Sequence, residues 1–250
     1  MRYQTLSPAL RVAGLSALLS LSAPGAAAQP GPIAPPAGRT PSIWLGPKPL
    51  SAAEAGIGQR VQATDLRDIN GQIHRLFERP GRAGTVVVVR DPGCPVSRRY
   101  GPRITQLATQ YATAGFRFVF IYPRADLTTE QRLRDAATLA IPGIYAERGS
   151  FALAEQLGVK STGDVFGLDA EHRLRYRGAV DDQFGIGYTQ DFPTSHYLRN
   201  AMDSILHGDA VAVPATSAPG CYIDADPEQD RVFPPLPEGY ILSLLVTSTL

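Results

Sequence analysis

The chain has 250 residues, a formal net charge of +1, 44% apolar residues and 19% charged residues. That length and apolar share suffice for one well-cored domain with extensions, and the near-neutral balance removes the electrostatic drive toward nucleic acid or an anionic membrane surface. Two cysteines exclude a disulfide scaffold and a four-ligand zinc cluster.

Arg2 and Arg11 give a positive start, Val12 to Leu21 is an apolar run, and Ala26-Ala27-Ala28 offers a small-residue cleavage site before Gln29. The run is about half of the ~20 residues that a membrane helix requires. Residues 1–28 are therefore expected to be a signal peptide directing export, most simply to a bacterial periplasm, with an uncleaved anchor as the alternative. Disulfides persist in such a compartment. Residues 29–54 form a proline-rich linker holding the only tryptophan, Trp44, and such a stretch favours extended conformations.

A domain is expected over 55–210. Val61 to Leu66 and Gln72 to Leu76 flank Asn70-Gly71, a signal for a tight hairpin. The β-branched run Thr85 to Val89 reads as a strand buried on both faces. A helix follows Asp91-Pro92-Gly93, with Ile104, Leu107, Ala108 and Tyr111 on one side and Gly115 closing it. Phe116 to Tyr122 is a second buried strand, so the unit reads as a crossover between parallel strands. Thr128 to Ala140 reads as a helix with Thr128 as N-cap, Gln131 three residues on and Pro142 as the stop. Ile144-Tyr145 reads as a short strand and Ser150 to Leu157 as a helix ended by Gly158. Val165 to Leu168 and Leu174 to Ala179 read as an antiparallel hairpin, and Ser195 as the cap of a last helix that ends at Gly208. Residues 211–250 form a C-terminal extension in which the pattern fades into loops beyond Pro214. Its apolar end, Tyr240 to Leu250, is far short of a bilayer span, so no membrane span is expected in the mature chain.

The segment Asp91-Pro92-Gly93-Cys94-Pro95-Val96-Ser97-Arg98-Arg99-Tyr100 carries the chemical signal. A cysteine where a buried strand gives way to a helix meets unpaired N–H groups and the positive end of the helix dipole, both of which favour thiolate. Pro95 suits the first helical position. Arg98 and Arg99 lie one turn on, where they would stabilise the thiolate further. The sulfur is expected to be exposed at its helix start; the plain alternative is a small buried cysteine beside two solvated arginines. Three uses are open for Cys221: a resolving thiol, a structural disulfide to Cys94, or a bystander. Bridging needs Cα atoms within about 7 Å. His74, His172, His196 and His207 are scattered without metal-ligand spacing, so no metal is expected. Asp181-Asp182 reads as a solvated turn, and Gly185-Ile186-Gly187 lacks the setting of a phosphate loop. Arg177 would point toward Cys94 if its strand lies beside the cysteine.

The order of elements, with Cys-Pro-Val-Ser after a valine-rich strand, resembles the thioredoxin-like superfamily. It is most similar to the redoxin branch, the alkyl hydroperoxide reductase and thiol-specific antioxidant family. The resemblance covers residues 56–210 and implies an α/β three-layer sandwich, a mixed central sheet with helices on both faces. Departures bear on mechanism. Ser97 stands where dithiol thioredoxins have their second cysteine, so a mixed disulfide on Cys94 has no adjacent thiol to release it. Val87 and Asp91 occupy the positions of the proline and threonine in the peroxiredoxin pattern Pro-x-x-x-Thr-x-x-Cys. Gly163 takes the place of the superfamily's cis-proline, keeping the backbone path open without enforcing a cis bond.

The resemblance implies an exported thiol oxidoreductase that performs thiol–disulfide exchange or peroxide reduction with Cys94 as nucleophile. Backbone N–H groups near Val96 and Ser97, the Ser97 hydroxyl, and Arg98 or Arg99 would assist, and Cys221 is the candidate for resolution. A thiol or disulfide protein, or a peroxide, would be the substrate and an external thiol the reductant; no dissociable cofactor is implied. The competing reading is a non-catalytic module of the same fold that binds a partner or delivers a metal.

Overall fold

The computed structural model describes residues 46–77 and 83–223. The chain divides into two units, Met1–Ser42 and Ile43–Leu250, and every described residue belongs to the second. The expected signal peptide, Trp44 and the Tyr240 to Leu250 segment lie outside the described residues.

The hairpin at Asn70-Gly71 forms β1 (Thr64–Asp68), two or three residues nearer the turn than the apolar pattern placed it, and β2 (Ile73–Leu76), which starts one residue later and ends as expected. The Asp68 carboxylate accepts from the N–H groups of Asn70 and Gln72, and Gly71 takes φ +82°, a conformation that glycine adopts without a Cβ penalty. β3 (Gly84–Val89) is buried at all six positions and pairs in parallel with β4 (Phe116–Ile121). Alternate valines serve opposite cores: Val86 and Val88 face one cluster, Val87 and Val89 the other, as the twofold side-chain period requires.

One helix was expected between these strands; there are two, α1 (Pro95–Arg99) and α2 (Gly101–Ala112), broken at Tyr100. Pro102 supplies the reason, since it has no N–H to bond back one turn and its ring opposes a continuous helix. α3 (Thr129–Leu139) begins with the capping box read from Thr128 and Gln131 and ends at Ala140, two residues before Pro142. β5 (Ile144–Arg148), α4 (Ser150–Leu157), β6 (Val165–Asp169), β7 (Leu174–Gly178) and α5 (Tyr197–His207) follow, with Gly158 and Gly208 as left-handed C-caps. The N-cap of α5 is His196 rather than Ser195. Ser195 instead presents its N–H, with that of Thr194, to the Asp182 carboxylate. β8 (Phe184–Gly185) and β9 (Tyr188–Thr189) form a small hairpin around Ile186-Gly187.

The seven-stranded sheet has the order β2-β1-β5-β4-β3-β6-β7, with β3 between parallel β4 and antiparallel β6. α1, α2, α3 and α5 contribute to the core on one face, which includes Ile104, Leu107, Leu139 and Leu198. α4 contributes Leu153, Ala154 and Leu157 to the core on the other. The result is an α/β sandwich of a mixed sheet between helical layers.

One part of the sequence reading changes here. Asp181 and Asp182 are buried rather than solvated: Asp181 holds Arg103 at 2.9 Å, while Asp182 anchors the entry to α5. Residues 214–223 form no helix or named strand, as expected of loops, yet isolated bridges tie them to the sheet. Ala215 and Thr216 run beside β7, with Arg177 N–H donating to Pro214 O and Thr216 N–H to Arg177 O. Lys48 and Leu50, from the proline-rich stretch, donate to Ser217 Oγ and Ala215 O on the same segment. The chain then turns back across the end of β6, where Thr162 N–H donates to Cys221 O and Ile223 N–H to Lys160 O.

Candidate functional site: a cysteine pair bridged by a threonine

Cys94 is the N-cap residue of α1, directly after the turn that leaves β3. Its N–H donates to Asp91 O, and Arg98 N–H donates to its carbonyl, so the residue is fixed from both sides. The expectation of an exposed sulfur is not met: Cys94 is 1% exposed. Against it lies the returning segment, whose Cys221 Sγ is 3.2 Å from Cys94 Sγ. Both thiols are free, one buried and one exposed.

Thr162, in the turn before β6, joins the two. Its hydroxyl donates to Cys94 Sγ at 3.0 Å and accepts the Cys221 N–H at 2.9 Å. Gly163 explains how the returning segment comes so close. A Cβ built on Gly163 would lie 1.8 Å from Pro219 O, so any side chain there would push the segment away. The backbone among the described residues has no cis peptide bond.

Burial opposes ionisation of Cys94, yet the Ser97 backbone N–H, the Thr162 hydroxyl and the Cys221 thiol and N–H together outweigh it and hold the thiol below its ordinary range. Cys221 moves the other way, raised by its hydrogen bond to Cys94, by partial burial and by the charge of Cys94. Within the pair, Cys94 is therefore the more readily ionised member. Because α1 is only five residues long, directed hydrogen bonds rather than a long helix dipole do this work.

The other expected participants are placed differently. The Ser97 hydroxyl accepts the Asp91 N–H at 3.2 Å, and the residue acts on the sulfur through its backbone. Arg98 is exposed and its guanidinium has no hydrogen bond or ion pair among the described residues, and Arg99 donates to Thr189 Oγ1 at 2.7 Å. Arg177 donates to Gly158 O and stacks over Phe166. Asp91, buried, binds Gly93 N–H and the Arg124 guanidinium at 3.0 Å. Arg90 grips Asp135 with two hydrogen bonds of 3.0 and 2.6 Å and also donates to Ser97 O, tying α1 to α3. No group of three potential metal ligands occurs among the described residues.

Sequence reading missed Thr162, Arg90 and Asp135. The pair Ser161-Thr162 before a glycine was visible, but its hydroxyl gains meaning only from what folds against it.

The sheet order, with the cysteine at the junction of β3 and α1 and the antiparallel β6–β7 hairpin beyond, defines a thioredoxin-like fold. The chain is similar to several solved structures. An uncharacterized conserved protein from Geobacillus kaustophilus matches at 23% identity and TM-score 0.59, covering 69% of this chain and 94% of its own. The hypothetical protein SMc02350 from Sinorhizobium meliloti 1021 matches at 25% identity and TM-score 0.60, covering 72% and 97%. Peroxidoxin BcpB from Mycobacterium tuberculosis matches at 16% identity and TM-score 0.45, covering 61% and 97%. No family model and no curated protein matches the chain.

Proposed function

We propose that the protein is an exported two-cysteine thiol oxidoreductase in which Cys94 is the nucleophile and Cys221 the resolving thiol. The observation that carries this reading is the 3.2 Å approach of the two sulfurs across the Thr162 hydroxyl. A disulfide needs them at about 2.05 Å, so bond formation asks for a movement of little more than an ångström.

In disulfide exchange the Cys94 thiolate attacks one sulfur of the substrate; the substrate S–S bond breaks and the first thiol leaves with the electron pair. Cys94 then no longer carries charge or accepts from Cys221, so two of the causes that raise the Cys221 pKa disappear and its thiol ionises more readily. Cys221 attacks Cys94 Sγ, the second substrate thiol leaves, and a Cys94–Cys221 disulfide remains. An external thiol supplies the two electrons that restore the pair. Peroxide reduction would use the same atoms: Cys94 takes an oxygen, water or alcohol leaves, and Cys221 expels the sulfenic oxygen as water. This route overcomes the absence of a second cysteine at Ser97, because the partner thiol comes from the far end of the chain. Among the described residues no helix is long and apolar enough to cross a membrane; export itself rests on the N-terminal Arg2 to Ala28 pattern.

Turnover of a disulfide dye and of hydrogen peroxide, with a thiol reductant, separates the readings. Cys94→Ser should abolish both activities. Cys221→Ser should keep one stoichiometric reaction and then stall as a mixed disulfide or sulfenic acid, visible by mass. If Cys94→Ser turns over at the wild-type rate, the enzymatic reading fails and the non-catalytic module replaces it.

A further inference from the structure

A cleft of about 690 Å³ opens between the α1–α2 turn and α3, within the volume range of small-molecule sites. It has no part in the cysteine chemistry above, since Cys94 does not line it. We propose that this cleft binds a medium-chain carboxylate, with Arg98 as the head-group ligand and the apolar wall as the site for the tail.

Three observations select that chemistry. The wall is formed by Pro92, Pro102 and Leu139, from three different segments, so the apolar surface belongs to a walled recess rather than to one helix face. The rim carries a cation without a compensating anion. Arg98 is exposed and its guanidinium has no hydrogen bond or ion pair among the described residues, while Arg134 is held by a solvent-exposed pair with Glu130, an interaction that competes weakly with an incoming anion. The carboxylate in the wall, Asp135, is already neutralised by Nε and Nη2 of Arg90 and accepts from the Tyr122 hydroxyl. Gln131 points the same way: its Oε1 is committed to the Thr128 N–H, which leaves its amide NH₂ as a donor. A ligand entering the cleft therefore meets donors and positive charge at the mouth and hydrocarbon inside. A guanidinium fork binds a carboxylate or phosphate oxygen pair, and the single unpaired arginine, with no second fixed cation, favours the singly charged carboxylate.

Calorimetric titration of the full chain with sodium decanoate, kept below its micelle concentration, tests this. Decanoate should bind at one site, acetate should not bind, and decanol should bind at least about tenfold more weakly, the factor that one lost charged contact of ~1.4 kcal/mol produces. Arg98→Ala should weaken decanoate by a similar factor. Thr138→Glu, an exposed substitution on α3 at the cleft wall, should do so by charge repulsion. Cys94→Ser should bind as the wild type does, which keeps this test separate from the redox proposal. Equal affinity for decanol and decanoate, tighter binding of decyl phosphate, no effect of both variants, or loss of binding in Cys94→Ser would each overturn the assignment.

Discussion

At the residue scale, the site turns on one hydroxyl. Thr162 stabilises negative charge on Cys94 and positions Cys221 through its backbone, so one substitution separates two effects. Thr162→Val should raise the pH at which the Cys94 thiolate absorbance appears, because a donor to the charged form is lost. It should also cost about 1–3 kcal/mol of stability by leaving the Cys221 N–H without its acceptor. Thr162→Ser should restore both. The sign follows from the folded-state depression of Cys94: thiolate stabilisation adds to stability above the ordinary thiol range and is lost as the pH falls through the lowered value. Thr162→Val should therefore narrow the stability difference between high and low pH in the reduced protein. A thiolate titration and denaturation midpoints that match the wild type at every pH would show that the hydroxyl is a bystander.

At the element scale, the arrangement is a short helix placed by a strand and faced by a returning segment. β3 delivers Cys94 to the end of the sheet, Pro102 confines α1 to five residues, and Arg90 fixes α1 through Ser97 O. Residues 214–223 reach the same point along β7 and across the end of β6. Gly163 is where the two meet. Gly163→Ala would place a Cβ 1.8 Å from Pro219 O, and the cheapest relief is displacement of the returning segment. The expected result is loss of Cys94–Cys221 disulfide formation by oxidised dithiothreitol, with a stability cost of about 1–3 kcal/mol for the overpacked contact and retained secondary structure. Wild-type oxidation kinetics in that variant would show that the close approach is not needed for pairing.

At the scale of the whole molecule, the surroundings of Cys94 include chain far from it in sequence. Cys94 and Cys221 are 127 residues apart, and the segment that carries the second lies against the first. A chain ending at Ser217 should keep the sheet and its two cores, since among the described residues those clusters draw only Ile223 from the removed part. Its Cys94 should react with a bulky maleimide roughly tenfold faster or more, because modification no longer waits for local opening. An unchanged rate would mean that the core itself, not the returning segment, seals the sulfur.

Local sequence determined the elements and one chemical position. The valine run of β3, the Asn70-Gly71 turn, the Thr128–Gln131 capping box and the glycine C-caps are set by neighbours a few residues apart, and so is the place of Cys94 at a strand-to-helix junction. The break at Tyr100 was equally local, since Pro102 stands in plain view. Tertiary structure alone decided that Cys94 is covered, that Cys221 is its neighbour, that Thr162 joins them and that Arg90 meets Asp135. Each of these is a contact between segments distant in sequence, and no periodicity or spacing encodes where a returning chain will come to rest. That is fixed by backbone pairing along β7 and β6 and by the missing side chain at Gly163, whose effect exists only once the two segments are packed together.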